Sequence, residues 1–194
     1  MAGENEKVGL SGEMKVNFEE DNQLESEFIY LYFLPILKEV GETAIFIHCD
    51  GKDDLYSYLQ KKKDIDVISE NRQRTRNISW SLKTVKDVYR RIFIETISNL
   101  NKGTPGWALY SEADYLVYTM GFPDRMISYR FPTKSLKVLD LSETSIYPKG
   151  YGETRDRGGR LWYKTEGRLV PPEDIEEITE RRIEERIPAL TTEG

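Results

Sequence analysis

Residues 65–98, IDVISENRQRTRNISWSLKTVKDVYRRIFIETIS, hold the pattern that decides the fold. Three β-branched or alternating runs stand in them, Ile65–Ser69, Ile78–Val85 and Ile92–Ser98, separated by basic or polar connections. Side chains alternate along a strand, so Ile78, Trp80 and Leu82 share one face of the middle run and Ser79, Ser81 and Lys83 share the other. Lys83 is thereby a cation on the polar strip of a core-like strand. In the third run Glu95 lies between Phe93 and Ile97, where an apolar residue would cost less. An antiparallel hairpin of the second and third runs, centred on Val88, puts Ser81 opposite Glu95 and Lys83 opposite Phe93, with Lys83 and Glu95 as diagonal neighbours. A slip of one residue would separate them onto opposite faces.

Outward from this stretch the pattern is mixed. Asn22 and Glu25 have capping-box spacing, and Leu24, Phe28, Leu31 and Leu34 recur at helical intervals, which predicts a helix over 22–39. Thr43–Cys49 reads as a strand, and Asp53 caps a short helix that ends in Lys61–Lys63, where positive charge suits the helix dipole. Asn101–Gly106 reads as a turn, with further strands at Tyr115–Met120 and Met126–Phe131 and a short helix at Ser135–Leu141. Tyr147–Gly159 reads as a Gly-rich loop, Leu161–Tyr163 and Arg168–Val170 as a small hairpin, and Pro171–Ile187 as an amphipathic helix opened by proline. The expected fold class is α/β, one central mixed sheet with flanking helices. Residues 1–21 read as a flexible lead-in and 22–194 as one domain.

Bulk properties narrow the function classes. The 194 residues, 38% apolar and 32% charged, can build one core. The longest apolar stretch, Phe28–Leu37, is too short to span a membrane and contains Pro35, and the acidic N-terminus is unlike a secretory segment. One cysteine, Cys49, and one histidine, His48, exclude a disulfide framework and a zinc site of several His and Cys ligands. A reducing, cytoplasmic setting is expected, and any catalytic metal would be a hard cation held by carboxylates, magnesium or manganese. The net charge is −6, yet Lys61–Arg91 holds ten basic residues against four acidic ones, so a basic face can coexist with acidic ends.

Asp66, with Asp64 beside it, opens the first run, and Glu27 sits among the apolar positions Leu24, Tyr30, Leu31 and Leu34 of the first helix. Taken singly, Asp66 and Glu95 read as ion-pair partners of Lys83 or an arginine, and Glu27 as a rim position. Taken together, Glu27, Asp66, Ser81-Leu82-Lys83 and Glu95 resemble the PD-(D/E)XK nuclease superfamily, whose pattern is an acid on one strand and an acid, any residue and Lys on the next, often with a Glu on the preceding helix. The resemblance spans roughly Asn22–Met120 and departs at Ser81, where the second acid is expected. A branch of type II restriction endonucleases has the same serine, with a displaced Glu about a dozen residues on, similar in spacing to Glu95. FIETIS, GTPGW and ADYLVY, between Phe93 and Tyr118, look like small virus- and phage-encoded members.

The resemblance implies a restriction-endonuclease-like fold and metal-dependent hydrolysis of phosphodiester bonds, with DNA the expected substrate and host cytoplasm the setting if the source is viral. Asp66 and Glu95 would hold magnesium or manganese, Lys83 would assist the attacking water, and Glu27 would approach from the helix. Arg72, Arg74, Arg76, Arg90 and Arg91 are the expected phosphate contacts, with solvated turn charge as the alternative. Asp114 reads as a structural hydrogen-bonding group and Trp107 as a core or turn anchor. The rival functions are a catalytically silent nuclease fold that binds nucleic acid or a protein, and an assembly protein using the acidic C-terminal helix. A homodimer is left open.

Overall fold

A computed structural model of the chain describes residues 14–15, 28–39, 41–46, 54–71, 75–86, 91–122, 124–155 and 160–186. The first helix starts, among these, at Phe28; a π-helical stretch, Ile29–Phe33, runs into helix α1, Leu34–Glu39. Pro35 accounts for the change of pitch. It has no N–H to give to a helical ladder, and the N–H of Leu34 before it reaches the Ile29 carbonyl five residues back. Strand β2 is Glu42–Phe46, helix α2 is Asp54–Lys63, and strands β3 and β4 are Val67–Asn71 and Asn77–Lys86. The rest of the first-helix prediction, including its cap at Asn22, and the end of the Thr43–Cys49 strand lie outside the described residues. So does the predicted lead-in, apart from strand β1, Met14–Lys15.

Two sheets form where one was expected. Beyond β4 come β5 (Ile92–Asn99), β6 (Thr104–Pro105), helix α3 (Trp107–Tyr110), β7 (Tyr115–Gly121) and β8 (Arg125–Pro132). A 3-10 helix, Thr133–Val138, leads on to β9 (Lys149–Arg155), β10 (Leu161–Val170), helix α4 (Pro172–Glu176) and β11 (Arg181–Arg186). One sheet has the order β11-β8-β7-β4-β3-β2 and the other β1-β9-β10-β5-β6. Both are mixed, with β4 parallel to β7 and β1 parallel to β9. The class is mixed α/β with short helices, and among the described residues no helix is long and apolar enough to cross a membrane.

The β4–β5 hairpin is corrected by this topology. Ser81 faces Leu116 and Lys83 faces Tyr118 on β7, while β5 pairs with β10 and β6 in the other sheet. The physical reason is burial on both faces of β4. Trp80 and Leu82 pack with Phe28, Phe33 and Leu37 under the first helix, Ser81 on the other face is fully buried, and both edges are taken by β3 and β7. A parallel β4–β7 pair needs a long crossover, and β5, β6 and α3 supply it. On that crossover Ile92 and Ile94 pack with Leu116, Tyr118, Met120, Tyr129 and Phe131, which makes the core between the sheets.

Three further expectations give way in the last third. The Gly-rich loop Tyr147–Gly159 contains β9, because Gly150 leaves room for the neighbouring strand: a Cβ there would lie 2.9 Å from the Leu169 side chain. The two short strands around Arg168 are one ten-residue strand, β10, pairing with β9 on one side and β5 on the other. The C-terminal helix keeps its proline start but ends at Glu176, and Arg181–Arg186 becomes a strand covering the edge of β8. Its antiparallel ladder with β8 satisfies an edge that a helix would leave open, and the ion pairs Arg130–Glu180 and Arg125–Glu184 add to the contact. Among the described residues no long acidic helix remains there.

Candidate functional site

The polar side of β4 looks away from the first helix, as the alternation of Trp80 and Leu82 with Ser81 and Lys83 predicts. Onto it comes the end of α2. There Asp64 takes a left-handed conformation, φ 54°, which Asp tolerates better than most residues, and the Ile65 N–H turns back to the Leu59 carbonyl. This turn delivers Asp64, 5% exposed, against β4. Its Oδ2 accepts the Ser81 hydroxyl at 2.7 Å and its Oδ1 accepts Lys83 Nζ at 2.6 Å. Asp66 follows one residue before β3, its Oδ2 taking the Leu82 N–H at 2.8 Å and standing 3.9 Å from Lys83 Nζ.

Glu95 arrives from the other sheet. Lys83 acts on its carboxylate through space, and the Trp107 N–H at the start of α3 donates to it. The GTPGW sequence explains how this is arranged. Gly106 packs so tightly on β5 that a Cβ there would lie 2.4 Å from the Glu95 carbonyl oxygen, and its own N–H donates to Thr96 O at 2.8 Å. That close approach brings the start of α3 to the Glu95 side chain and sets the Trp107 ring beneath Lys83, with Nζ 5.9 Å from its centroid. Trp107 is thus the buried anchor expected of it.

The electrostatics follow from two carboxylates, Asp64 and Asp66, within 4 Å of one ammonium, with Glu95 close enough to feel its charge. Burial works to lower the Lys83 pKa, but Asp64 and Asp66 outweigh it and hold the amine charged, well above its ordinary range. Burial pushes the Asp66 carboxyl up, and the charge of Asp64 adds to this against the pull of Lys83, the Leu82 N–H and the Gln60 side chain. Glu95 is also raised, chiefly by burial, despite Lys83 and the Trp107 N–H. Tyr110, on α3, is raised by burial and by the Asp64 carboxylate, and it also feels Lys83, Glu95 and Asp66. Among the described residues no three His, Cys, Asp or Glu side chains stand close enough to enclose an ion as they are placed.

Asp66, Lys83 and Glu95 are therefore brought to one locality, Asp66 and Lys83 in direct reach and Glu95 from across the inter-sheet gap. Glu27, Arg72, Arg74 and Arg90 lie outside the described residues. Arg76 is exposed on the turn into β4, and Arg91 is half-buried beside Arg125 and Arg182 in a separate cavity that also holds Glu173 and Glu176. Asp114 is structural: its Oδ2 accepts the Ser79 N–H and hydroxyl at 2.9 and 2.8 Å, and its own N–H donates to Ser79 Oγ, which locks the start of β7 to β4. Asp64 and Tyr110 are the members that sequence reasoning left unassigned. For Asp64 the signal was its place two residues before Asp66, although the left-handed turn that brings both to Lys83 was not legible. For Tyr110 there was none, because its place depends on how α3 docks.

No family model, curated protein or solved structure matches this chain.

Proposed function

We propose that the chain is a metal-dependent nuclease, restriction-endonuclease-like in its centre, that hydrolyses phosphodiester bonds in DNA. The observation that carries this reading is the meeting of Asp64 and Asp66 at the half-buried amine of Lys83, with Glu95 near enough for that charge to act on its carboxylate. An acid on one strand and Ser-Leu-Lys on the next are the pairing that the resemblance to PD-(D/E)XK nucleases calls for. β3 and β4 are antiparallel neighbours, and Asp66 enters β3 with its carboxylate on the Leu82 N–H. The serine at the usual acidic position loses its oddity, because its hydroxyl holds Asp64, which restores a carboxylate beside the lysine.

The donor set suits a hard cation in kind and in charge: all oxygens, with more carboxylates than the one ammonium neutralises, two of them raised by burial. Asp66 and Glu95 would hold magnesium or manganese, with Asp64 adjoining. Such an ion supplies Lewis acidity toward the phosphodiester. Lys83, kept charged by its neighbours, orients the attacking water or steadies the negative charge that grows on the phosphoryl oxygens. The Trp107 N–H and the Leu82 N–H fix the two carboxylates in place before substrate arrives. Arg76 and Arg91, with Arg72, Arg74 and Arg90, would hold flanking phosphates without reading sequence.

One observation favours a second reading, a silent nuclease fold that binds without cutting: Lys83 is already engaged by Asp64 at 2.6 Å, as in a structural ion pair. Incubating the protein with supercoiled, linear, single-stranded and branched DNA in magnesium, manganese or chelator separates the two. Cleavage that needs metal and is lost in Asp66→Asn and Lys83→Ala, with DNA binding retained, is expected. DNA binding without cleavage under any of these conditions would decide for the silent fold.

A further inference from the structure

Trp162 on β10 is 73% exposed, although tryptophan is on average largely buried in a folded chain. It borders an open cavity of about 350 Å³ whose other walls are Asn99, Asn101, Lys102 and Tyr163. The Tyr163 ring lies beside the indole, centroids 5.9 Å apart and planes tilted by 46°. The opposite wall is the turn that leaves β5, held to β10 by the Leu100 N–H on the Lys164 carbonyl at 2.9 Å. Within that turn the Asn99 side-chain oxygen accepts the Lys102 N–H at 3.1 Å, which orients its amide.

We propose that this cleft takes an unpaired nucleobase of the substrate strand, stacked on the Trp162 indole, with the Asn99 and Asn101 amides at its polar edge and Lys102 at the adjoining phosphate. The lining is what such a ligand needs: a flat aromatic face, neutral groups that both donate and accept, and, among the described residues, one cation and no carboxylate to repel phosphate. By contrast, the cavity beside Arg91 carries Glu173 and Glu176 among its arginines and is less suited to a polyanion. Position along the strand relates the cleft to the candidate centre. Glu95 and Asn99 both belong to β5, four residues and at most about 13 Å apart, with irregular register between them, which is within the reach of a few nucleotides. The substrate is then DNA with a single-stranded stretch, a gap, flap or junction arm rather than an intact duplex, whose stacked bases cannot be inserted without unpairing. This inference rests on the nuclease reading above, which it narrows to a class of substrate.

The test uses the full chain in chelator, so that binding is read without cleavage. Trp80 and Trp107 are buried, and among the three tryptophans Trp162 alone is open to acrylamide. Oligothymidylate should quench Trp162 emission and shield it from acrylamide, whereas a blunt duplex of equal length should do neither. Trp162→Ala should weaken binding of the single strand about tenfold or more, and Trp162→Phe, which keeps a ring, clearly less. Unchanged affinity in Trp162→Ala would overturn the proposal, as would equal shielding by the duplex. Shielding without nucleic acid that disappears on dilution would overturn it too and assign the face to a second copy. The two readings fail separately: oligothymidylate bound through Trp162 by a protein that never cleaves leaves the cleft standing. Metal-dependent cleavage with gapped and branched DNA cut equally well by wild type and Trp162→Ala removes the cleft alone.

Discussion

The acids of the candidate centre are held at a cost to the folded chain. Asp66 and Glu95 have pKa values raised by burial, above their ordinary 3.8 and 4.5, so folding favours their protonated forms. The stability linked to this is fully present below the unfolded values and is lost as pH rises through the folded ones. At neutral pH both carboxylates therefore weaken the fold, and Asp66→Asn and Glu95→Gln, which keep shape and acceptor, should raise the thermal midpoint there. The gain should vanish below about pH 3.5, where the carboxyls are protonated in both states. Melts at the two pH values check this, and a neutral-pH loss of stability in both variants would contradict it. Lys83 is the reverse case. It is the cation facing a nearly inaccessible Asp64, so Lys83→Met should destabilise by about 3–5 kcal/mol in denaturant unfolding, because a buried charge is left unpaired. Little loss would mean that Asp64 finds water or another donor.

At the scale of elements, the short helix α3 matters beyond its four residues. It carries the N–H that meets Glu95, the ring beneath Lys83, and Tyr110, and all three depend on the contact of Gly106 with β5. A methyl at Gly106 would meet backbone atoms of Glu95 and Thr96 at 2.4–2.7 Å, atoms that cannot turn aside as a side chain would. Gly106→Ala should therefore cost about 3 kcal/mol and lower cleavage further than its residual stability explains, since α3 moves off the carboxylate. Gly103→Ala, in the same turn, is the control: its φ of 61° adds strain, but a Cβ there meets nothing within 4 Å, so cleavage per folded molecule should hold. Equal activity per folded molecule in both variants would remove α3 from the positioning of Glu95.

Across the whole molecule, β4, β7 and β8 form the part covered from both sides, by the first helix on one face and the second sheet on the other. Hydrogen exchange should accordingly be slowest at Leu116–Met120, opening only with global unfolding, and fast along Arg181–Arg186, an exposed edge strand joined by ion pairs that contribute little each. Protection of β11 equal to that of β7 would mean that the edge is covered by something further. In this architecture the candidate centre sits where the two sheets meet, with Asp66 and Lys83 on one and Glu95 on the other, so a change in the spacing of the sheets is felt directly at the site.

Local chemistry made several of these features legible in the sequence. Alternation in ISWSLKTV set Trp80 and Leu82 against Lys83, and the apolar run of Ile92, Phe93 and Ile94 marked a strand, since the two-residue period is a property of the chain itself. Asp66, Lys83 and Glu95 could be grouped by spacing and resemblance, and the structure brings them to one locality. Pairing was another matter. The hairpin between β4 and β5 was the short-range choice, but β4, apolar on one face and polar on the other, lies between β3 and β7, and only the tertiary fold sets strands 35 residues apart side by side, as Trp80 and Tyr115 are. The same limit hid β11 in a helical-looking segment, because what made it a strand was the open edge of β8. It hid Tyr110 as well, whose approach to the acids depends on a glycine meeting a strand from another part of the chain. Sequence determined which residues were charged, apolar and strand-forming; the three-dimensional packing decided which of them would meet, because pairing partners are chosen by burial on both faces rather than by proximity along the chain.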